Sequence, residues 1–260
     1  MFRQFKPPTS HSITRMKASV LITTFNHQRW LSGAIDSVLK QKTSFDFEIV
    51  IGVDLSDDRT LETAEQYAKF HKNITVLMPF KRLGGRQNFF RTLQRCSGEY
   101  VAILDGDDFW NDENKLQDQI EFLESNQDFS CSVTQSSIEY HGHFDKRFET
   151  NYARAQEIWE GKDVIKTPSF ACHSSTVFRR EALLPLPKWF YDIDWADSAI
   201  RGLLAKQGKF HYLQRKATTY RCNNWGALSE LRKKGNVFMA KALRKIMGHI
   251  TKQIGEFTTA

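Results

Sequence analysis

From Ala18 onward the chain alternates short β-branched runs with segments of helical periodicity, and this alternation restricts the fold more than any other feature. Ser19 to Thr23 reads as a strand, after which Trp30, Leu31, Ala34, Ile35, Val38 and Leu39 keep one apolar face of a helix. Phe47 to Val53 repeats the strand signal and Leu61, Ala64, Tyr67 and Ala68 the helix. Ile74 to Leu77 is the next strand, and Phe89, Phe90 and Leu93 mark the next helix, before a strand that ends at Leu104. Elements in this order predict right-handed βαβ crossovers and an α/β fold, an open and mostly parallel sheet flanked by helices on both faces. Strands so covered are near-continuously apolar, as Val20 to Ile22 and Ile49 to Val53 are. A further helix is expected from about Asn114 to Glu124, beyond which the pattern turns irregular. The expected division is a tail over 1–17, a nucleotide-binding half over 18–124, an acceptor half over 125–222, and an extension over 223–260, with a boundary near Asn223 to Gly226.

The strand Tyr100 to Leu104 runs directly into Asp105-Gly106-Asp107-Asp108, so a buried strand is expected to end by throwing three carboxylates into one tight loop. Like charges crowd there at a cost in repulsion and desolvation unless a cation or an ordered network neutralises them. An oxygen-only set favours Mg²⁺ or Mn²⁺, which typically bridge a few carboxylates to substrate phosphates. In a parallel open sheet ligands lie beyond the carboxyl ends of the strands. Thr23, Thr24 and Asn26 after the first strand, Asp54, Ser56 and Asp58 after the second, and Asp105, Asp107 and Asp108 after the fourth are therefore expected to line one rim. Asn26 and Asp58 also suit helix N-caps, and capping is the favoured reading for both, whereas Asp54 suits a hydrogen bond from a base or ribose edge. An EF-hand is excluded, since its sixth position would be Trp110 and its twelfth Leu116.

The net charge of +7 is concentrated at one end, where seven Lys/Arg follow Leu231 against Glu256 alone. The body is thus nearly neutral, which argues against a nucleic-acid groove. Val237, Met239, Leu243, Met247, Ile250 and Ile254 fall mainly at helical spacing among Lys241, Arg244, Lys245 and Lys252, a basic amphipathic helix that either packs on the domain or meets anionic lipid. Cys96, Cys131, Cys172 and Cys222 are far apart without metal-ligand spacing and are expected to be reduced thiols. The opening residues carry no apolar signal-like run, so a cytoplasmic protein, peripheral at most on the membrane, is expected.

Three segments, Ser19 to Gln41, Phe47 to Thr60 and Leu83 to Trp110, together resemble the family 2 glycosyltransferases of GT-A fold. The resemblance is strong over Ser19 to Leu116 and weaker to about Ser229. It implies a nucleotide-sugar donor, with a UDP-sugar expected, and a glycan or lipid-linked glycan acceptor in cell-surface polysaccharide synthesis. Thr23 and Asp54 match positions that contact the nucleoside, while Asp105 and Asp107 match the motif touching ribose and the diphosphate-bound metal. Gly84-Gly85 before a helix suits close chain approach or simply a turn.

Inverting transfer, which the family implies, needs a carboxylate to deprotonate the acceptor hydroxyl while a metal takes up charge on the departing diphosphate. Asp192, Asp194 and Asp197 form the candidate cluster. Asp197 precedes the apolar stripe of Ala199, Ile200, Leu203 and Leu204, ended by Gly208, and so stands at a helix N-terminus; the resemblance, which matches it to the family's acidic residue before this helix, makes it the preferred base over Asp194, with capping the plainer role for either. His173 to Arg180 resembles the family's acceptor-side strand and alternates like a half-buried one. Trp189, Phe190, Tyr191 and Trp195 suit sugar faces or, for most of them, core packing. Two departures stand out: Asn223 follows Tyr220-Arg221-Cys222 where many relatives have a metal-binding histidine, and Arg82 stands where relatives often have asparagine. An amide oxygen still ligates a hard cation, so Asn223 joins Asp107 and Asp105 in the expected metal set. The other reading left open is a catalytically degenerate protein that binds nucleotide-sugar or associates with a membrane partner.

Overall fold

The computed structural model describes residues 16–140, 143–144, 156–167, 171–193 and 196–222, together with Gly248. The first half follows the predicted alternation closely: β1 (Ala18–Thr24), α1 (Leu31–Leu39), β2 (Phe47–Val53), α2 (Thr60–Phe70), β3 (Ile74–Leu77), α3 (Gly85–Arg95), β4 (Tyr100–Asp105), β5 (Phe109–Trp110) and α4 (Lys115–Ser125). The second half holds β6 (Phe129–Tyr140), β7 (His143–Phe144), β8 (Ile158–Trp159), α5 (Gly161–Lys166), β9 (Val177–Arg179), α6 (Arg180–Leu183), α7 (Ala196–Gln207) and β10 (Lys209–Cys222). All ten strands join one sheet in the order β3-β2-β1-β4-β9-β6-β10-β5, with β7 beside β6 and β8 beside β10.

The four strands from β3 to β4 are parallel, as expected. The sheet then becomes mixed, because β9 runs antiparallel between β4 and β6 while β6 and β10 pair parallel. His173–Arg180 is therefore not a half-buried strand: it begins as a 3-10 turn over His173–Ser175, and β9 is buried along its whole length at the centre of the sheet.

Side chains alternate across the sheet, as a pleat requires. Val20, Ile22, Ala102 and Leu104 face α1, α2 and α4, whereas Leu21, Val101 and Ile103 face α3, α5 and α7. The long strands β6 and β10 escaped sequence analysis because their buried positions are hydroxyls as often as hydrocarbons: Ser130, Ser132, Thr134, Ser136, Thr218 and Thr219 are all at most 2% exposed.

A buried polar layer supports the rim from below. Trp110 Nε1 donates to the carbonyl of Ser174 at 2.8 Å, and Gln119 Nε2 donates to the carbonyls of Ser132 at 2.8 Å and Ser175 at 3.2 Å. Lys115, with no exposed surface, donates to Gln119 Oε1 at 2.7 Å and lies 4.1 Å from the Trp110 ring centre. Burial pulls its pKa down to about 7 from an ordinary 10.5. Between those values the unfolded chain holds a proton that the folded chain has released, so this group makes stability rise with pH. Lys115→Met abolishes that contribution. Denaturant unfolding at about pH 6, 8 and 10 should show the wild type gaining on the variant by up to about 1.4 kcal/mol per pH unit within the window, and a constant difference would exclude a depressed lysine.

Candidate active site

The rim is built where β1, β2 and β4 end. Two loops there, after β1 and after β2, are laced together: Asn26 N–H donates to Ser56 Oγ at 3.0 Å, Asp57 N–H to Asn26 Oδ1 at 2.9 Å, His27 N–H to Thr60 Oγ1 at 2.8 Å and Gln28 N–H to Asp58 Oδ2 at 3.0 Å. Asn26 is consequently not the cap of α1, which starts from Trp30. It sits in the left-handed region at φ 53, which a short amide side chain tolerates, and its carbonyl oxygen is spent on the neighbouring loop. Asp58 does serve the start of α2, accepting the Thr60 N–H at 3.0 Å, while also holding Gln28.

Asp54 is only 2% exposed. Its Oδ1 accepts the N–H groups of Leu55 at 2.9 Å and Leu83 at 2.8 Å, and its Oδ2 that of Gly84 at 2.7 Å. The carboxylate thereby orders the turn before α3, where Gly84 has φ 79, a conformation that glycine adopts at little cost. From that turn Arg82 lays its guanidinium over the Phe25 ring, 3.6 Å from its centre.

The acidic loop is tied on every side. Thr23 Oγ1 donates to Asp105 Oδ1 at 2.9 Å, Gly106 N–H to the Thr23 carbonyl at 2.8 Å, and Asp108 N–H to the Asp105 carbonyl at 2.9 Å. A Cβ on Gly106 would lie 2.7 Å from Thr24 Oγ1 and 3.1 Å from His27 Nδ1, so the loop passes β1 only because that position has no side chain. Asp107 keeps its carboxylate partly exposed, with Oδ2 3.6 Å from His27 Nε2.

Asp108 departs from expectation. It does not line the rim but turns fully inward, accepting the Ser174 hydroxyl at Oδ2 and the Arg221 N–H at Oδ1, 2.8 Å away. Burial, reinforced by Asp107 and Asp105, pushes its pKa well above the carboxylate range. An inward seat is possible for this aspartate alone because Ser174 and the end of β10 supply it with donors.

Asp105 is partly exposed, and its pKa is pushed up to about 6. Burial is the main cause, opposed by His173; Asp107 and Asp197 raise it further, and the Thr23 hydroxyl lowers it. Asp105 of the first half therefore lies within electrostatic reach of His173 and Asp197 of the second, and its N–H donates to Ser174 Oγ at 3.0 Å. Asp197 is the second residue of α7, half-exposed, with Oδ1 3.9 Å from His173 Nε2. The His173 ring packs against Phe89 with centres 5.7 Å apart. Among the aromatics flagged near the proposed base, Phe190 is core, Tyr191 is 46% exposed and stacks edge-on to Phe90, and Trp189 packs against the core. Asp194, Trp195 and Asn223 lie outside the described residues, as does the basic helix expected beyond Leu231.

Of the residues expected along one rim, Thr23, Asn26, Asp54, Ser56, Asp58, Asp105 and Asp107 lie in the loops and strand ends at the exits of β1, β2 and β4, Asp108 turns inward, and Asp197, expected separately as the base, stands in the first turn of α7. Sequence analysis missed roles for His27 and His173, lone histidines that carry no pattern of their own, and for Arg221. An oxygen set of Asp105 and Asp107 suits a hard divalent cation, and the raised pKa of Asp105 marks a place where positive charge would be welcome. Among the described residues no group of three His, Cys, Asp or Glu side chains is disposed to hold a metal without further ligands. Oxygens of a bound phosphate ester and water would therefore have to complete the shell.

The chain matches the family described as Glycosyl transferase family 2 over residues 19–184. It is 33% identical over 169 residues to the putative glycosyltransferase EpsE of Bacillus subtilis, covering 64% of this chain and 57% of that protein. Among solved structures it is similar to the mannosyltransferase PcManGT of Pyrobaculum calidifontis in complex with GDP-Man and Mn²⁺, with a TM-score of 0.66 at 20% identity over 89% of this chain and 65% of the other. It is also similar to residues 1–349 of TarS from S. aureus in complex with UDP-GlcNAc, with a TM-score of 0.62 at 20% identity over 82% of this chain and 61% of the other. The likeness to both is one of fold, the GT-A arrangement. The chain spans about half the length of the curated relatives it matches, 51% of one mycobacterial protein and 57% of EpsE. The matched residues run from β1 past α6 and include the loops bearing Thr23, Asp54, Asp105 and His173, and on that ground the chain belongs to glycosyl transferase family 2.

Proposed function

We propose that this protein transfers a sugar from a nucleotide-diphosphate sugar, preferentially a UDP-sugar, to a hydroxyl of a glycan or lipid-linked glycan in cell-surface polysaccharide synthesis, with inversion at the sugar carbon. The observation that carries this reading is that the turn His173–Ser175 connects the acidic loop to α7: Ser174 Oγ accepts the Asp105 N–H at 3.0 Å, while His173 Nε2 stands 3.9 Å from Asp197 Oδ1. That brings two acidic groups suited to a metal-bound diphosphate and one suited to proton abstraction into one place. The complexes of the two structural neighbours with UDP-GlcNAc and with GDP-Man and Mn²⁺ support a nucleotide-sugar donor, and EpsE supports glycosyl transfer.

Thr23 and Asp54 hold the nucleoside end, Asp54 through the Leu83–Gly84 turn it orders. Asp105 and Asp107 hold Mg²⁺ or Mn²⁺, which when bound offsets charge on the leaving diphosphate. Asn223 is proposed as the further ligand and Asp194 as the secondary candidate for the base. Asp197 accepts the proton of the acceptor hydroxyl, whose oxygen forms the new bond to the sugar carbon as the bond from that carbon to the diphosphate breaks and its electron pair leaves with the phosphate. The N-terminus of α7 favours the ionised carboxylate, as a base requires. A protein of this kind works on the cytoplasmic side of a membrane, with the basic segment after Leu231 as the proposed contact with anionic lipid. Among the described residues no helix is long and apolar enough to cross a membrane.

Three outcomes test this reading. Asp107→Ala should leave the melting temperature within a few degrees of wild type and abolish Mn²⁺-dependent heat of binding for UDP and UDP-sugars; undiminished calorimetric affinity would remove Asp107 from the metal. Asp197→Asn should preserve donor affinity while lowering transfer by about a hundredfold or more, the usual worth of a general base, and turnover near wild type would move the base elsewhere. Deleting residues 232–260 should release the protein from anionic vesicles in a flotation assay, and continued co-flotation would mean that the lipid contact, if any, lies in the remaining chain.

A further inference from the structure

The loops that leave β2 and β3 carry a surface patch for which sugar transfer has no use. Leu77 of β3 lies beside Gly52 of β2, so the two strands end side by side and their loops emerge together. Three large apolar side chains stand in solvent there, Leu55 at 46% exposed, Met78 at 60% and Phe80 at 78%. Lys81 and Arg82 follow at once, both exposed, and neither pairs with a carboxylate among the described residues. Lys81 Nζ lies 5.7 Å from the Phe80 ring centre, and Arg82 is held over Phe25. The backbone beneath is fixed from within. Arg91 Nη1 donates to the Met78 carbonyl at 3.0 Å, and its Nη2 to the carbonyls of Val53 at 2.5 Å and Leu77 at 3.2 Å. Asp54 Oδ1 accepts the N–H groups of both Leu55 and Leu83, which binds the two loops to one carboxylate. Single exposed apolar residues need no explanation, but three on adjoining, well-fastened loops with two unpaired cations mark an interaction surface.

We propose that this patch inserts into an anionic bilayer, with Met78 and Phe80 from one loop and Leu55 from the other entering the interface while Lys81 and Arg82 remain at the level of the lipid phosphates. The inference rests on the lipid-contact reading above and adds to it the part of the folded domain that enters. Charge selects the occupant. A second copy of this chain, related by a twofold axis, would set Lys81 and Arg82 against their own counterparts, whereas anionic headgroups complement both. A glycan free in water gains nothing from Met78. One weak attachment of this kind holds a protein only marginally, and stable binding takes two. The basic segment after Leu231 supplies long-range attraction, and the loops supply apolar depth. Because the patch adjoins the turn that Asp54 orders, insertion sets the β2–β3 edge of the rim at the membrane surface, where a lipid-linked acceptor presents its hydroxyl.

Partition of the full chain onto vesicles of phosphatidylglycerol and phosphatidylcholine in equal parts, measured by flotation across a salt series, tests this. The double variant Met78→Ser, Phe80→Ser should partition about tenfold or more weakly than wild type, by a ratio that salt leaves unchanged, because apolar burial is not screened. Lys81→Gln should weaken partition at low salt and converge on wild type as salt rises. Since the replaced side chains already stand in solvent, the double variant should melt within a few degrees of wild type. Undiminished flotation of the double variant overturns the proposal. If deleting residues 232–260 releases the protein while the double variant still floats, the tail contact stands and the loops are excluded. A double variant that changes the sedimentation mass but not the flotation would make the patch a contact between copies, again overturning insertion. Wild type that never floats would overturn both lipid readings, and failure to bind UDP with Mn²⁺ in calorimetry would strike the donor reading separately.

Discussion

The site depends on a carboxylate that cannot reach solvent. Asp108 is sealed inside the protein, and an isolated charge there would be prohibitive without partners. It has three, the Ser174 hydroxyl and the Cys172 thiol from the segment before β9 and the Arg221 N–H from β10. The same Ser174 oxygen accepts the Asp105 N–H, so one hydroxyl links the first and last members of the acidic loop. The loop between β4 and β5 is thus fastened to both halves of the sheet, and Asp105 and Asp107 are left facing the rim.

Around this anchor the electrostatics are deliberately unbalanced. Asp105 is held close to Asp107 and Asp197 in a partly buried place, and its affinity for a proton is correspondingly high. His173 opposes the effect and joins the two halves by reaching toward Asp197. A site with this excess of negative potential attracts cations and disfavours a bare diphosphate.

The first half was legible in sequence for a simple reason. Its strands are buried by helices on both sides and so are written as unbroken apolar runs, while its helices carry one apolar stripe, and either pattern can be recognised locally. β2 and β3 begin and end where sequence analysis expected, and α4 differs by one residue at each end. The second half obeyed a different logic. β6 and β10 bury serine and threonine along a polar interior whose hydrogen bonds come from residues distant in the chain, such as Ser132 with His211 Nδ1 at 3.0 Å, and no periodicity of hydrophobic residues announces them.

By itself the sequence determined the βαβ order, the acidic loop at the exit of β4, the helix start that carries Asp197, and the family these features resemble, because each depends on contacts between near neighbours in the chain. Only the tertiary structure decided which aspartate of the loop turns inward, that Asn26 laces loops instead of capping a helix, that Asp54 holds the turn at Leu83–Gly84, and that His173 and Arg221 stand beside the acids. Those outcomes turn on donors and acceptors supplied by residues up to 114 positions away, and a hydrogen bond of that span leaves no trace in local spacing.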